Sequence, residues 1–578
     1  MPSRSDLQFI TLDDFSLGIV DDWLAAGGAA SAPDGAAQLS DTWGCVSGTM
    51  GGLIPAPRRV SRMTGNQPIA DFSKLPATSP RGHITSLRVV SPVMDRTSSG
   101  VAEVGTLRVH PDRVFVGFEW YANTGANYHH YGHVRAYSIF KEAAANPAAP
   151  ATYDPIDKQA TTGTFTGNYT FGYTSVDLSR SNNGASTDVG YPFAACTFMS
   201  NREVTSEKHV AYPSNATPTV DSVATMGGVE SSGGFAAYAI MAHQDRLLVL
   251  TRSVNVGMGT DGELPTDIVG ASAVNDYGTL GINVEAFVAE NPGAFGSWCS
   301  VNANEAFFVK QQRGGFIVRG DVANPTIVRL PGIAPTYDAI NIGTVAQNGM
   351  YIYGTRNGVY GWAGYDTSQQ LSKQLNNWFW KVPDNIDGST DGTAGVSQYL
   401  HVKGQFASLE NLVYISNNYL YDLDTKSWWK LTDPNGAEPA YAFFEASASG
   451  NIIAAPASFA SNTDPILDWY DNSQGQSSYS WKSQPLKKSR GRTLAFRELE
   501  LVASGHGTVV VTLIGRDGAT DPITFTVDDD NPVTLEQPAY CLSGDVVVKI
   551  VATATDSADP APRVLRLGIG YMERETAR

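Results

Sequence analysis

Residues Tyr414–Thr432 constrain this chain more than any other stretch, because they read as two short strands around a polar turn. Bulky and polar residues alternate through Asn418–Leu423, Asp424-Thr425-Lys426-Ser427 supplies turn chemistry, and paired tryptophans open the strand Trp428–Thr432. Period-two alternation bounded by such a turn is a hairpin signature. Weaker copies lie upstream: Thr106–Val109 with Arg113–Phe118, Ala236–Met241 with Arg246–Thr251, Ala306–Lys310 with Phe316–Arg319, and Met350–Tyr353 with Val359–Trp362. Phe443–Ser447 with Ile452–Ala455 follows downstream. From residue 236 onward the turns recur roughly every 40–60 residues, as the blades of a β-propeller with long loops do. Thr367–Leu375 is the best short-helix candidate.

The flanks differ from this pattern. Residues 1–90 hold an extended apolar segment, Phe9–Ile19, then Ala/Gly-rich stretches and Pro55-Ala56-Pro57-Arg58-Arg59. Such a region builds little core alone, and it reads as an arm laid over the protein's own body or over a neighbouring subunit. Five alternating segments (Leu494–Val502, Thr508–Ile514, Ile523–Val527, Asp545–Ala552 and Arg563–Tyr571) predict a small antiparallel sandwich. The expected fold is therefore all-β: an irregular β-propeller over residues 91–484, an extended N-terminal arm over 1–90 and a C-terminal antiparallel β-sandwich over 485–578.

Composition excludes several function classes. A net charge of −17 opposes a broad nucleic-acid surface and adhesion to anionic lipid. No run approaches ~18 uninterrupted apolar residues, so no membrane insertion is expected. The N-terminus has no apolar signal region, which predicts synthesis in the cytoplasm. Cys45, Cys196, Cys299 and Cys541 are scattered without a CxxC pair and read as buried thiols.

Two patterns carry ligand chemistry. His129 and His133 project to one face if their segment is extended, but no carboxylate accompanies them. Asp384, Asp387 and Asp391 lie in a calcium-like loop, but Ile386 takes the place of an oxygen ligand and Gly388 comes one residue early for an EF-hand. Neither is a complete site, so no metal and no cofactor is expected. No Gly-x-Ser-x-Gly elbow, zinc-protease motif or phosphate loop is present. A glycosidase needs only two carboxylates, and their separation is invisible in sequence.

The opening Ile10-Thr11-Leu12-Asp13-Asp14-Phe15-Ser16-Leu17-Gly18-Ile19 resembles the Asp-Phe-x-x-Gly start of tailed-bacteriophage tail proteins. Tyr419–Thr432 is similar to their propeller repeats, and Tyr479–Leu486 followed by Arg497–Leu501 is similar to their exit from propeller to sandwich. The resemblance implies a minor tail or tail-tip (baseplate) protein of the virion, a structural component and not an enzyme. It also implies assembly with copies of itself, as a trimer or hexamer, and with other tail proteins, and contact with host-surface glycan. Phe9, Ile10, Leu12, Phe15, Leu17, Trp428 and Trp429 are then the interface candidates. The alternative is a propeller glycoside hydrolase or lyase, or a receptor-binding module, directed at host cell-envelope glycans.

Overall fold

The structure is a computed structural model. It describes residues 7–20, 35–64, 295–375 and 404–575, with short gaps in the last three, and between residues 81 and 284 the strands and the tip of one hairpin. Apart from short 3-10 turns, the described elements are strands. No described helix is long and apolar enough to cross a membrane.

Seven antiparallel meanders of four strands are present among the described residues. Six are local, spanning residues 81–165, 169–222, 235–284, 295–330, 344–370 and 407–430; these are blades 1 to 6. The first strand of each blade packs against the first strand of the next. Blade 7 opens with Tyr441–Ala446, which touches the first strand of blade 1, so the ring closes. Blade 7 takes its second and third strands from Asn451–Pro456 and Pro465–Gly475, and its outermost strand, Pro57–Thr64, from the other end of the chain.

The sandwich is one sheet folded on itself. Strand Arg492–Gly515 pairs along one edge with Ile523–Ser543. Its other edge pairs first with Arg563–Glu575 and then with Val547–Ala554. The change of partner falls at Gly505 and Gly507, whose φ values are 105° and 155°. A Cβ at Gly507 would lie 2.2 Å from the Thr553 carbonyl oxygen, so only glycine fits this bend. Two of the five expected segments, Leu494–Val502 and Thr508–Ile514, are thus halves of one bent strand. Alternate residues point inward (Leu499 and Leu501 from the first half, Val509 and Val511 from the second) and share one core with Phe525, Ile550 and Ile569.

The N-terminal segment is a strap between these two bodies. Gln8–Leu12 adds an edge strand to Arg563–Glu575, with Ile10 opposite Ile569. Phe15 is buried edge-on against Trp481, at 4.9 Å between ring centroids. The Ile19 amide then donates to the Trp428 carbonyl of blade 6 at 2.7 Å. Cys45–Ser47 and Leu53–Pro55 form a hairpin that returns to the sandwich at Val564. Pro57–Thr64 finally seals blade 7.

Four local expectations need correction. Residues 1–90 are not a separate arm, because Pro57–Thr64 and Arg81–Val90 are blade strands. Arg108–Val109 pairs with Met94–Asp95, and not with the strand Asp112–Asn123, which pairs with Arg81–Val90. Thr367–Leu375 holds a two-residue strand and one 3-10 turn in place of a helix. Cys45 is buried as expected, but Cys299 and Cys541 are only half-buried.

Candidate functional site

Blade 7 gathers two arginines, two carboxylates and two tyrosines into one hydrogen-bonded set. Asp468 and Tyr470 are two residues apart on strand Pro465–Gly475 and so share a face. Arg62 lies opposite Asp468, and Arg59 lies opposite Tyr470. Residues three apart on a regular strand would face opposite ways. A bulge skips Val60, between the pairs Trp469–Ser61 and Tyr470–Arg59, and turns both arginines to the same side. Glu438 arrives from the loop that leads into strand Tyr441–Ala446.

The hydrogen bonds are dense. Arg62 grips Asp468 through two parallel bonds, Nε to Oδ1 and Nη2 to Oδ2, each 2.8 Å. The same Nη2 donates to Glu438, which also takes a bond from Arg59. The Tyr441 hydroxyl donates to Asp468 and accepts from the Tyr470 hydroxyl at 3.2 Å. Asp468, Tyr441 and Tyr470 are buried, whereas the Glu438 side chain keeps 25% of its surface. Because both carboxylates bond one nitrogen, their oxygens are at most about 6 Å apart, two hydrogen-bond lengths.

Burial sets the protonation of the phenols. Burial chiefly, with the neighbouring Tyr470 and the Asp468 carboxylate, pushes the Tyr441 hydroxyl well above the usual tyrosine range. Tyr470 is pushed up in the same way, with its bond to Tyr441 partly offsetting the rise. Burial alone would lower Arg62, but its bonds and proximity to Asp468, then the charge of Glu438, more than reverse this. The site therefore combines protonated phenols, fixed guanidinium charge and a close carboxylate pair with one member open to water.

A second polar set lies on the first strands. The segments Asn341–Ile342 and Gly404–Gln405 and the strand Tyr441–Ala446 run parallel and pair. Gln405 donates to Glu445 and accepts from the Leu87 amide of blade 1 at 3.4 Å. This ties blades 1 and 7 to the segment that leads into blade 6.

The residues picked out from sequence lie elsewhere. Ile10, Leu12 and Phe15 are buried inside this chain, Leu17 is half-buried, and Phe9 is 39% exposed. Trp428 and Trp429 are both buried in blade 6. Trp428 Nε1 donates to the Leu371 carbonyl at 3.1 Å, and Trp429 Nε1 donates to Ser427 at 2.7 Å. Ile10, Leu12, Phe15, Trp428 and Trp429 are spent on internal packing, so as intersubunit contacts these five are corrected. His129 and His133 lie on strand Tyr128–Ile139, opposite Ala122 and Phe118; their side chains are outside the described residues, as are Asp384, Asp387 and Asp391 altogether. Among the described residues no group of three His, Cys, Asp or Glu could hold a metal ion. Sequence reading passed over Glu438, Asp468, Tyr441, Tyr470, Arg59 and Arg62. The one available signal was a carboxylate inside an otherwise apolar strand, Ile466-Leu467-Asp468-Trp469-Tyr470.

No family model matches the chain, and no curated protein matches it. Solved structures similar to it include an exo-β-1,3-galactanase from Phanerochaete chrysosporium, at 9% identity and a TM-score of 0.27, covering 84% of this chain and 100% of that one. An α-L-arabinofuranosidase from Fusarium graminearum aligns at 9% identity and a TM-score of 0.28, covering 72% of this chain and 97% of that one. These findings correct two expectations, the structural tail component and the non-enzyme, because the similar structures are glycoside hydrolases. At this degree of likeness no residue role passes from them to this chain.

Proposed function

We propose that this chain is a carbohydrate-active enzyme of the glycoside hydrolase class, acting on a cell-envelope polysaccharide. The observation that carries the reading is the carboxylate pair Glu438 and Asp468, bridged by one guanidinium nitrogen. Glycosidic bonds are cleaved between two carboxyl groups, and retaining enzymes hold theirs about 5–5.5 Å apart. Glu438 is the member a sugar reaches first. A ring docking over it displaces Arg59, the more exposed guanidinium, and moves Arg62 Nη2 out from between the two carboxylates, so that Asp468 lies behind. Arg59 and Arg62 then offer donors to sugar hydroxyls, and Tyr441 fixes Asp468 from the buried side. On a virion tail, as the likeness to tail proteins implies, the same activity would open the host envelope.

The test is release of reducing ends from envelope polysaccharides by purified protein. Glu438→Gln keeps the shape of the side chain and should lower turnover at least a hundredfold, with little change in melting temperature. Retained anomeric configuration in the product is expected from the short separation. Equal activity of wild type and Glu438→Gln, or no release by wild type from any envelope polysaccharide, would overturn the reading.

A further inference from the structure

Phe9 and Tyr540 remain exposed on the outer face of the sandwich, and nothing in the blade 7 chemistry uses them. Phe9 stands opposite Gly570, Gly570 opposite Glu498, and Glu498 opposite Pro538, so one row crosses four strands. The Phe9 ring lies over the glycines of strand Arg563–Glu575. A Cβ would stand 3.2 Å from it at Gly570 and 3.4 Å at Gly568. One ring face therefore rests on backbone and the other meets solvent. At the far edge Tyr540 is 70% exposed, with the Arg497 guanidinium 5.7 Å from its ring centre. Leu542, two residues on, is 52% exposed on the same side. On the row between the two aromatics stand Gly570, covered by the Phe9 ring, and the half-buried Glu498, and the Glu500–Arg566 ion pair flanks that row on the side away from Tyr540.

We infer that this face is a glycan-binding platform, taking an extended polysaccharide chain laid across the strands. Three strand spacings separate Phe9 from Tyr540, about 14 Å, which a trisaccharide spans. Sugar rings present an apolar C–H face to aromatic planes and hydroxyls to charged groups. This surface supplies two aromatics at its edges, the Glu498 carboxylate between them and a carboxylate–guanidinium pair beside the row. A protein partner would instead call for a continuous apolar centre, and here the centre is glycine and a carboxylate. The platform rests on the carbohydrate reading of the chain. It would keep polymer on the chain that cuts it.

The experiment uses the full chain carrying Glu438→Gln, so that bound polymer is not consumed. Binding to arabinogalactan, mannan and β-1,3-glucan is measured by retardation in polysaccharide-containing native gels. Phe9→Ala and Tyr540→Ala should each weaken binding at least tenfold for the polymer that is bound, with unchanged melting temperature. Undiminished retention by the double variant, or retention of none of the three, overturns the platform. Loss of self-association without loss of retention also overturns it, in favour of a contact between copies. Reducing-end release by the wild-type chain is scored separately. Lost retention in the variants with no release by wild type leaves the platform standing and removes the hydrolase reading alone.

Discussion

Blades 6 and 7 stand side by side and are held by opposite means. Blade 6 is local in sequence, and its seams are aromatic: Trp428 packs on Tyr419 and Tyr421, with ring centroids 6.3 and 5.0 Å away. Each buried tryptophan covers about 150–250 Å², roughly 4–6 kcal/mol of transfer free energy as an upper bound. Blade 7 recruits its outer strand across some four hundred residues of chain, as the pairing of Arg62 with Asp468 shows, and fixes it with charge. Apolar burial fixes which face of a strand points inward, but a two-residue slip keeps that face. A two-pronged arginine–carboxylate bond admits one alignment only. The difference suggests that the locally formed blade needs adhesion, while the composite blade needs a device that selects its register.

The largest effects should separate the two blades. Trp428→Ala should cost about 3–5 kcal/mol through the cavity left, and Asp468→Ala about 3–5 kcal/mol because Arg62 keeps a half-buried charge without its main partner. Adding Arg62→Met to Asp468→Leu should recover part of the second loss, since an apolar pair can replace an ionic one. No second substitution at the tryptophan's neighbours should rescue Trp428→Ala. Urea denaturation of the single and paired variants measures this, and equal non-rescue in both blades would erase the distinction.

Gly18→Ala comes next, at about 1–3 kcal/mol. Gly18 has φ 59°, and a Cβ there would meet the Trp428 carbonyl oxygen at 2.5 Å. The substitution strikes the strap and spares both cores, so the unfolding transition should broaden or split as sandwich and propeller lose their tie. A single sharp transition at the wild-type midpoint would show that the strap does not couple them.

The smallest effect is a slope with pH, and it belongs to another seam. His243 of blade 3 lies 2.8 Å from the Ser300 hydroxyl of blade 4 through Nδ1, and its Nε2 is buried without a hydrogen-bond partner. Burial pushes this imidazole down to about 4 from its ordinary 6.5. Between those values the unfolded chain binds a proton that the folded chain refuses. Stability from this group is full above pH 6.5 and falls as the pH drops toward 4. Denaturation midpoints at pH 7, 5.5 and 4.5 should decline in wild type and decline less in His243→Asn.

The same contrast explains what could be read in advance. Blade 6 was legible because its information is local. Asn417 and Asn418 adopt positive φ at one turn, and Asp422 accepts from the amides of Asp424 and Thr425 at the other, as turn-forming residues do. The hairpins at residues 235–253, 305–319, 351–362 and 441–456 carry similar punctuation and were placed to within a few residues. Sequence alone makes blade 7's outer strand an arm, because its partner is remote and nothing near Arg58-Arg59-Val60 announces the pairing. Even a correct strand assignment would have put Arg59 and Arg62 on opposite faces, since the bulge at Val60 is set by tertiary pairing. The candidate carboxylates were hidden for the same reason.

The pairing of Gln8–Leu12 with Arg563–Glu575 has a consequence for biosynthesis. On the ribosome, six blades can assemble in the order they emerge. The seventh must wait for Pro465–Gly475 to capture a strand made some four hundred residues earlier, and the edge strand at Gln8 must wait longer still. Through most of translation the leading segment, with Ile10, Leu12 and Phe15 uncovered, has no finished surface to lie on. Premature termination before residue 563 would leave Ile10 and Leu12 without the strand that pairs with them, and truncated products should be marked for proteolysis by that uncovered segment as much as by their broken end.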